Sequence, residues 1–176
     1  MNSLTDKYTL INSVEVPCIA FGTWKMPEEV ATNAVKCAIE SGYRHIDTAA
    51  AYQNEEYVGK GIRESGVKRD EIFLVSKLPN DDHGYQNAID SCERSLKRLK
   101  TDYLDSYLIH WPVLVENVDR LEDDLCETWR AFEKLYNDGK LRSIGTSNFL
   151  EEHIEIIKRN FSTYPMINQV QMHPQN

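Results

Sequence analysis

Four residues of this sequence can do chemistry when taken together: Asp47, Tyr52, Lys77 and His110. A free tyrosine hydroxyl has a pKa of about 10, so it is a weak acid at neutral pH. A lysine beside it would stabilise phenolate and lower that value. A carboxylate would hold the lysine charged and in place. A histidine could donate a hydrogen bond to a carbonyl oxygen. The set suits protonation of an oxyanion as hydride arrives at a carbonyl carbon. Singly, each residue has a plainer reading. Tyr52 alone is an ordinary half-buried tyrosine. Lys77 alone is a strand-end lysine, or a Schiff-base nucleophile, which would leave Tyr52 and His110 idle. His45 lies two residues before Asp47, so both face one side of a strand. A metal pair there has no evident further ligands, and His45 is expected to be an interior polar residue.

These residues are far apart in the chain, so secondary structure must gather them. The pattern alternates short apolar runs with amphipathic ones. Residues 7–10 and 13–16 flank Ile11-Asn12 as a starting hairpin at about 7–16. Strands are expected over 17–24, 43–49, 71–77, 103–110, 140–146 and 166–172. Between them lie helices. Residues 28–40 place Val30, Ala34, Val35, Ala38 and Ile39 on one stripe, closed by Gly42. Asn54 is expected to cap a helix running to Ser65, with Glu55 and Glu56 in its dipole-favoured first turn. Further helices cover 85–100, 121–136 (with Trp129 and Phe132 as core) and 150–159. The charged run 116–124 reads as a solvated loop and helix start.

Strand–helix repetition implies parallel pairing through right-handed crossovers. An open doubly wound sheet and an eightfold barrel compete. The former expects GxGxxG after its first strand, where this chain has Phe21-Gly22-Thr23-Trp24. A barrel gathers its site at the C-terminal strand ends. Those ends carry Thr23 and Trp24, Asp47 and Tyr52, Lys77, His110 and Trp111, Ser147 and Asn148, then Gln169 and Gln171. Ser147 and Asn148 have a second reading, as a cap for the next helix.

Gly42-YRHIDTAAAYQNEEYVG-Gly59 resembles the first signature of the aldo-keto reductases. Val75-Ser76-Lys77-Leu78 is similar to that family's lysine strand, and Leu108-Ile109-His110-Trp111-Pro112 to its histidine strand. Gly139-KLRSIGTSNF-Phe149 and Asn168-QVQMHP-Pro174 resemble later segments. The resemblance implies a TIM-type (β/α)8 barrel reducing aldehydes or ketones with NADPH, less often NADH. It implies Tyr52 as proton donor, tuned by Lys77 and Asp47, with His110 orienting the carbonyl. It puts Ser147, Asn148 and Gln169 on the nicotinamide carboxamide, and Thr23 and Asp47 beside the cofactor ribose. Trp24 and Trp111 would line the substrate pocket with Tyr52 and His110, favouring an apolar or aromatic carbonyl compound. Pro79 stands where part of the family has tryptophan, which reshapes the pocket.

The chain has 176 residues, 27% charged and 41% hydrophobic, a globular composition suited to one domain. No apolar run of about 18 residues suggests a membrane span, and the N-terminus lacks a targeting core. A cytoplasmic protein is expected, with Cys18, Cys37, Cys92 and Cys126 as reduced, mostly buried thiols. The net charge of −8 argues against nucleic acid as a partner. Six strand–helix units reach residue 176, so an incomplete barrel over 1–176 is expected, truncated after strand six. Its open sheet edges would favour self-association if the chain ends there. A non-catalytic fragment or interaction module is the alternative to a reductase.

Overall fold

The computed structural model describes Leu4, residues 6–112 and residues 120–173. Residues 116–119 of the charged run lie outside the described residues; Glu122 and Asp123 beyond them are exposed on the following helix. The chain opens with a hairpin, β1 (Lys7–Thr9) and β2 (Glu15–Pro17), paired antiparallel with Tyr8 opposite Val16. Then strands and helices alternate: β3 (Phe21–Gly22), α1 (Glu28–Glu40), β4 (His45–Asp47), α2 (Glu55–Glu64), β5 (Phe73–Leu78), α3 (Tyr85–Leu99), β6 (Ser106–Ile109), α4 (Leu121–Asn137), β7 (Ile144–Ser147), α5 (Glu151–Asn160) and β8 (Asn168–Gln169).

The six later strands form one parallel sheet in chain order, β3-β4-β5-β6-β7-β8. Consecutive order excludes the doubly wound arrangement, whose strand order reverses. The sheet is also curled. The Gln169 amide on β8 donates to the Asp47 carboxylate on β4 at 2.9 Å. In a flat sheet those strands would be about 19 Å apart at about 4.8 Å per step, beyond the joint reach of the two side chains. The molecule is therefore a curled α/β half-barrel, the first six strands of a TIM-type fold.

Strand periodicity sorts the residues of β5 to two faces. Phe73, Val75 and Lys77 face the interior, and Leu74, Ser76 and Leu78 face the helices. Phe73 and Val75 pack with Leu108 against Leu10 and Val16, so the hairpin plugs the N-terminal end of the barrel. Outside the sheet, Ile46, Leu74 and Tyr107 join Val35, Leu96, Trp129 and Phe132 in a larger cluster, with Trp129 and Phe132 fully buried. Asp105 ties the base together: Arg69 and Arg142 reach its carboxylate at 2.8 and 2.7 Å, and the Leu74 amide donates to it at 3.0 Å.

Several expectations need correction. Pro17 pairs in the hairpin rather than starting the first barrel strand. Glu71 ends a 3₁₀ turn (Arg69–Glu71) instead of opening β5. The last strand holds two residues, with Val170 and Met172 exposed beyond it. The α1 stripe is centred on Ala31, Val35, Ala38 and Ile39, which rotates Val30 outward. Among the cysteines, only Cys92 is buried; Cys37 lies on the outer face of α1 and Cys18 follows the hairpin, and both are exposed. Asn54 stands at the start of α2 but makes no capping bond, because its side chain is engaged elsewhere. No helix among the described residues is long and apolar enough to cross a membrane.

Candidate active site

Lys77 is at the C-terminal end of β5, with its side chain only 1% exposed. A buried ammonium must be paired, and the Lys77 Nζ donates to Asp47 Oδ1 at 2.6 Å and to the Thr48 carbonyl at 3.0 Å. Asp47 ends β4, the neighbouring strand, so parallel pairing sets this distance. Its second oxygen accepts from Gln169. One carboxylate thus links three of the six strands.

Tyr52 sits on a 3₁₀ turn, Ala50–Tyr52, just beyond β4. Its ring lies 5.2 Å from Lys77 Nζ and meets the His110 ring edge to face at 5.7 Å between centroids. Tyr52 and His110 are both half-buried, so a small molecule can reach them. Burial pushes the Tyr52 hydroxyl up to about 12, helped by the Asp47 charge. The expected lowering by lysine does not occur, because Asp47 already neutralises Lys77 and desolvation disfavours phenolate. Burial also lowers Lys77, against the pull of Asp47. His110 falls to about 4 through burial and then the Lys77 charge, so it is a neutral imidazole at pH 7. The site holds a neutral phenol and a neutral histidine above a lysine–aspartate pair. Such a set can donate two hydrogen bonds to one carbonyl oxygen and give up the phenolic proton.

The remaining residues cluster around this centre. Ser147 donates to the Gln169 carbonyl at 3.0 Å, and Asn148 Nδ2 donates to the His110 carbonyl at 3.0 Å and to Ser147 Oγ at 3.1 Å. Asn148 takes a left-handed backbone, φ 60°. Neither residue caps α5, whose first backbone amide bond goes from Leu150 to His153 Nδ1. The amide oxygens of Asn148 and Gln169 take part in none of these bonds, so a carboxamide group fits as a donor to them. Thr23 is buried and its hydroxyl donates to Thr48 Oγ1 at 2.9 Å. Trp24 and Trp111 stand at the rim, 67% and 47% exposed. Pro79 precedes a 3₁₀ turn (Asn80–Asp82) at the same rim. Gln171 is exposed beyond β8.

His45 does not join Asp47 at the site. Its Nδ1 lies 3.0 Å from the Pro17 carbonyl and its ring packs on Phe73, deeper in the barrel. A cleft of about 670 Å³ is at the opposite, N-terminal end of the sheet, between Lys7, Arg44, Phe73 and Arg142. Its cations are engaged: Lys7 with Glu15, Arg44 with the Ile39 and Tyr43 carbonyls, Arg142 with Asp105.

Sequence reasoning gave two residues only a helix-start role and missed their place beside the site. Asn54 is buried, donating to the Thr23 and Met26 carbonyls at 2.9 and 3.2 Å. Glu55 is also buried, accepting from Ser76 Oγ at 2.6 Å and from Arg98 at 2.7 Å. The signal was their position two and three residues after the tyrosine, where the turn that follows the strand of Asp47 runs into α2.

Residues 18–176 match the model of the Aldo/keto reductase family. The glyoxal reductase of Bacillus subtilis is 51% identical over 98% of this chain and 60% of its own length. The 9,11-endoperoxide prostaglandin H2 reductase of Trypanosoma cruzi is 46% identical over 99% of this chain and 59% of its own. Among solved structures, an aldo/keto reductase from Brucella melitensis superposes with a TM-score of 0.90 at 44% identity, covering 97% of this chain and 64% of that one. A Bombyx mori aldo-keto reductase in complex with NADP gives 0.87 at 37% identity, covering 97% and 59%. This chain therefore spans about 60% of the length of the relatives it matches. With the order of its strands and the match over nearly all of its length, the chain belongs to the aldo/keto reductase family.

Proposed function

We propose that the protein reduces aldehydes or ketones to alcohols, with NADPH and less readily NADH as hydride source and Tyr52 as proton donor. The observation that carries this is the stack of Asp47, Lys77, Tyr52 and His110, held within hydrogen-bond and ring-contact distance at the ends of adjacent parallel strands. When bound, the cofactor supplies a hydride to the carbonyl carbon. Ser147, Asn148 and Gln169 would hold its carboxamide, with Thr23 and Asp47 beside its ribose. His110 then donates a hydrogen bond to the carbonyl oxygen and aligns it. Tyr52 keeps its proton throughout the neutral range, since its hydroxyl titrates at about 12. It releases that proton only to the much stronger alkoxide base that forms as the carbon is reduced. Lys77 stabilises the resulting phenolate, while Asp47 holds Lys77 in position. Trp24 and Trp111 form apolar rim walls that favour an aromatic or otherwise apolar carbonyl compound. The relative named as a glyoxal reductase fits carbonyl reduction of this kind, and the one named as a prostaglandin endoperoxide reductase fits small-molecule reduction more broadly.

The test is loss of reduced-nicotinamide absorbance with an aromatic aldehyde, comparing the native protein with Tyr52→Phe. Activity of the variant is expected to fall by about 100-fold or more, the range of general acid catalysis. Equal turnover refutes the assignment of Tyr52. Titration of NADPH fluorescence with a polypeptide of these 176 residues tests whether the groups present hold the cofactor by themselves.

A further inference from the structure

We infer that Asn54 and Glu55 act as a two-sided clamp that positions Tyr52 over Lys77; the inference rests on the reading of Tyr52 as proton donor. Tyr52 lies on a short turn, and Gln53 after it takes a left-handed conformation, φ 59°. A non-glycine residue there is strained, and such a conformation persists only where its surroundings hold it. The holding groups are the two residues that follow.

Asn54 grips the inner side. Its Nδ2 donates to the carbonyls of Thr23 and Met26. Its Oδ1 accepts from Thr48 Oγ1 at 3.2 Å and lies 3.5 Å from Thr23 Oγ1, while Thr23 Oγ1 donates to Thr48 Oγ1. All three side chains are buried. This network joins the loop that carries Trp24, the end of β4 and the start of α2. Thr48 is also the residue whose carbonyl accepts from Lys77. Glu55 grips the outer side. Its carboxylate accepts from Ser76, the residue before Lys77 on β5, and pairs with Arg98 of α3. The proton donor and the lysine are therefore fastened to each other twice, through Thr48 and through Ser76, at points next to Asp47 and Lys77 in the chain. A buried carboxylate and a buried amide with this many partners cost more to keep than an apolar pair would. Positioning accounts for their presence, because a shift of about 1 Å in a reacting group can cost about 100-fold in rate. Asn54 and Glu55 touch neither the reacting atoms nor the rim, so they are positioning residues.

The experiment uses the full-length protein with Thr48→Val, Thr48→Ser and Ser76→Ala, and Tyr52→Phe as reference. Thr48→Val removes the hydroxyl from the inner grip at nearly constant shape, and Ser76→Ala removes the partner of Glu55 on the outer grip. Each is expected to lower kcat by about 10- to 100-fold with KM for NADPH within about twofold, and to raise the solvent deuterium isotope effect on kcat. A proton donor held farther from its acceptor makes proton transfer more rate-limiting, which loss of stability alone does not do. Thr48→Ser, which keeps the hydroxyl, is expected to recover most of kcat. The two grips are struck separately, so either folded variant decides. Full kcat with an unchanged isotope effect in either overturns the clamp. If Tyr52→Phe retains full activity, the underlying reading of Tyr52 falls instead, and the two failures are told apart.

Discussion

At the scale of single residues, the gathering of Asp47, Tyr52, Lys77 and His110 is legible in the sequence because each stands at, or just beyond, the C-terminal end of an expected strand. Their protonation is not legible, because it depends on distances and burial that spacing does not carry. Lysine beside tyrosine suggests a lowered phenol pKa, yet the Lys77 charge is committed to Asp47 at 2.6 Å and burial dominates. His110 shows the same effect with a consequence for stability. Its pKa drops from 6.5 to about 4 on folding. Between those values the unfolded chain takes up a proton that the folded protein refuses. Stability from this residue is therefore complete above pH 6.5 and is lost as pH falls toward 4. Burial lowers His45 and His83 in the same direction. Replacing His110 with Gln is expected to flatten part of the fall in Tm between pH 6.5 and 4, leaving the part due to the other two. Thermal unfolding across that window checks this, and an unchanged slope removes His110 from the account.

At the scale of elements, the order of strands and helices is legible from periodicity, while their ends are not. Apolar runs extend past the hydrogen-bonded ladder, since loop residues at the barrel ends are buried too. Leu104 is fully buried, yet it stands before β6 and pairs only as an isolated bridge with Leu141, ahead of β7. Asn54 illustrates a second limit. Its type suits a cap, but tertiary partners at Thr23, Met26 and Thr48 compete for its side chain and win. Glycines in α2 illustrate a third. Gly59 and Gly61 look like weak points of a helix, where alanine would add about 1 kcal/mol of propensity. In the fold a Cβ on Gly59 would sit 2.2 Å from the Leu99 carbonyl oxygen, and one on Gly61 would sit 2.6 Å from that of Thr32. These glycines let α2 lie directly against the end of α3 and against α1. Backbone atoms cannot swing aside as side chains do, so overpacking outweighs propensity. Gly59→Ala is expected to destabilise the fold by about 1–3 kcal/mol, a drop of several degrees in Tm. A Tm equal to or above that of the native protein would show that α2 has room to move.

At the scale of the whole molecule, parallel order and curl make each strand depend on its neighbours. Among the described residues, β4 to β7 are paired on both sides, whereas β3 and β8 are each paired on one. Backbone donors and acceptors on those outer sides form templates for another strand, and natural edges are usually protected by charge, proline or a covering element. Two residues just beyond β8, Val170 and Met172, are large, apolar, and 51% and 90% exposed. Along the same edge, Gln169 holds Asp47, so pairing there would bear directly on the Asp47–Lys77 pair. A polypeptide of these 176 residues is therefore expected to self-associate, with a weight-average mass that rises with concentration in sedimentation equilibrium. Val170→Lys with Met172→Lys places charge on that edge and should shift the distribution toward monomer without changing the far-ultraviolet circular dichroism. If the native sequence is a cooperative monomer at all concentrations, edge pairing is ruled out. If it associates and the double variant does so equally, the contact lies elsewhere, and the β3 edge next to Trp24 becomes the surface to alter.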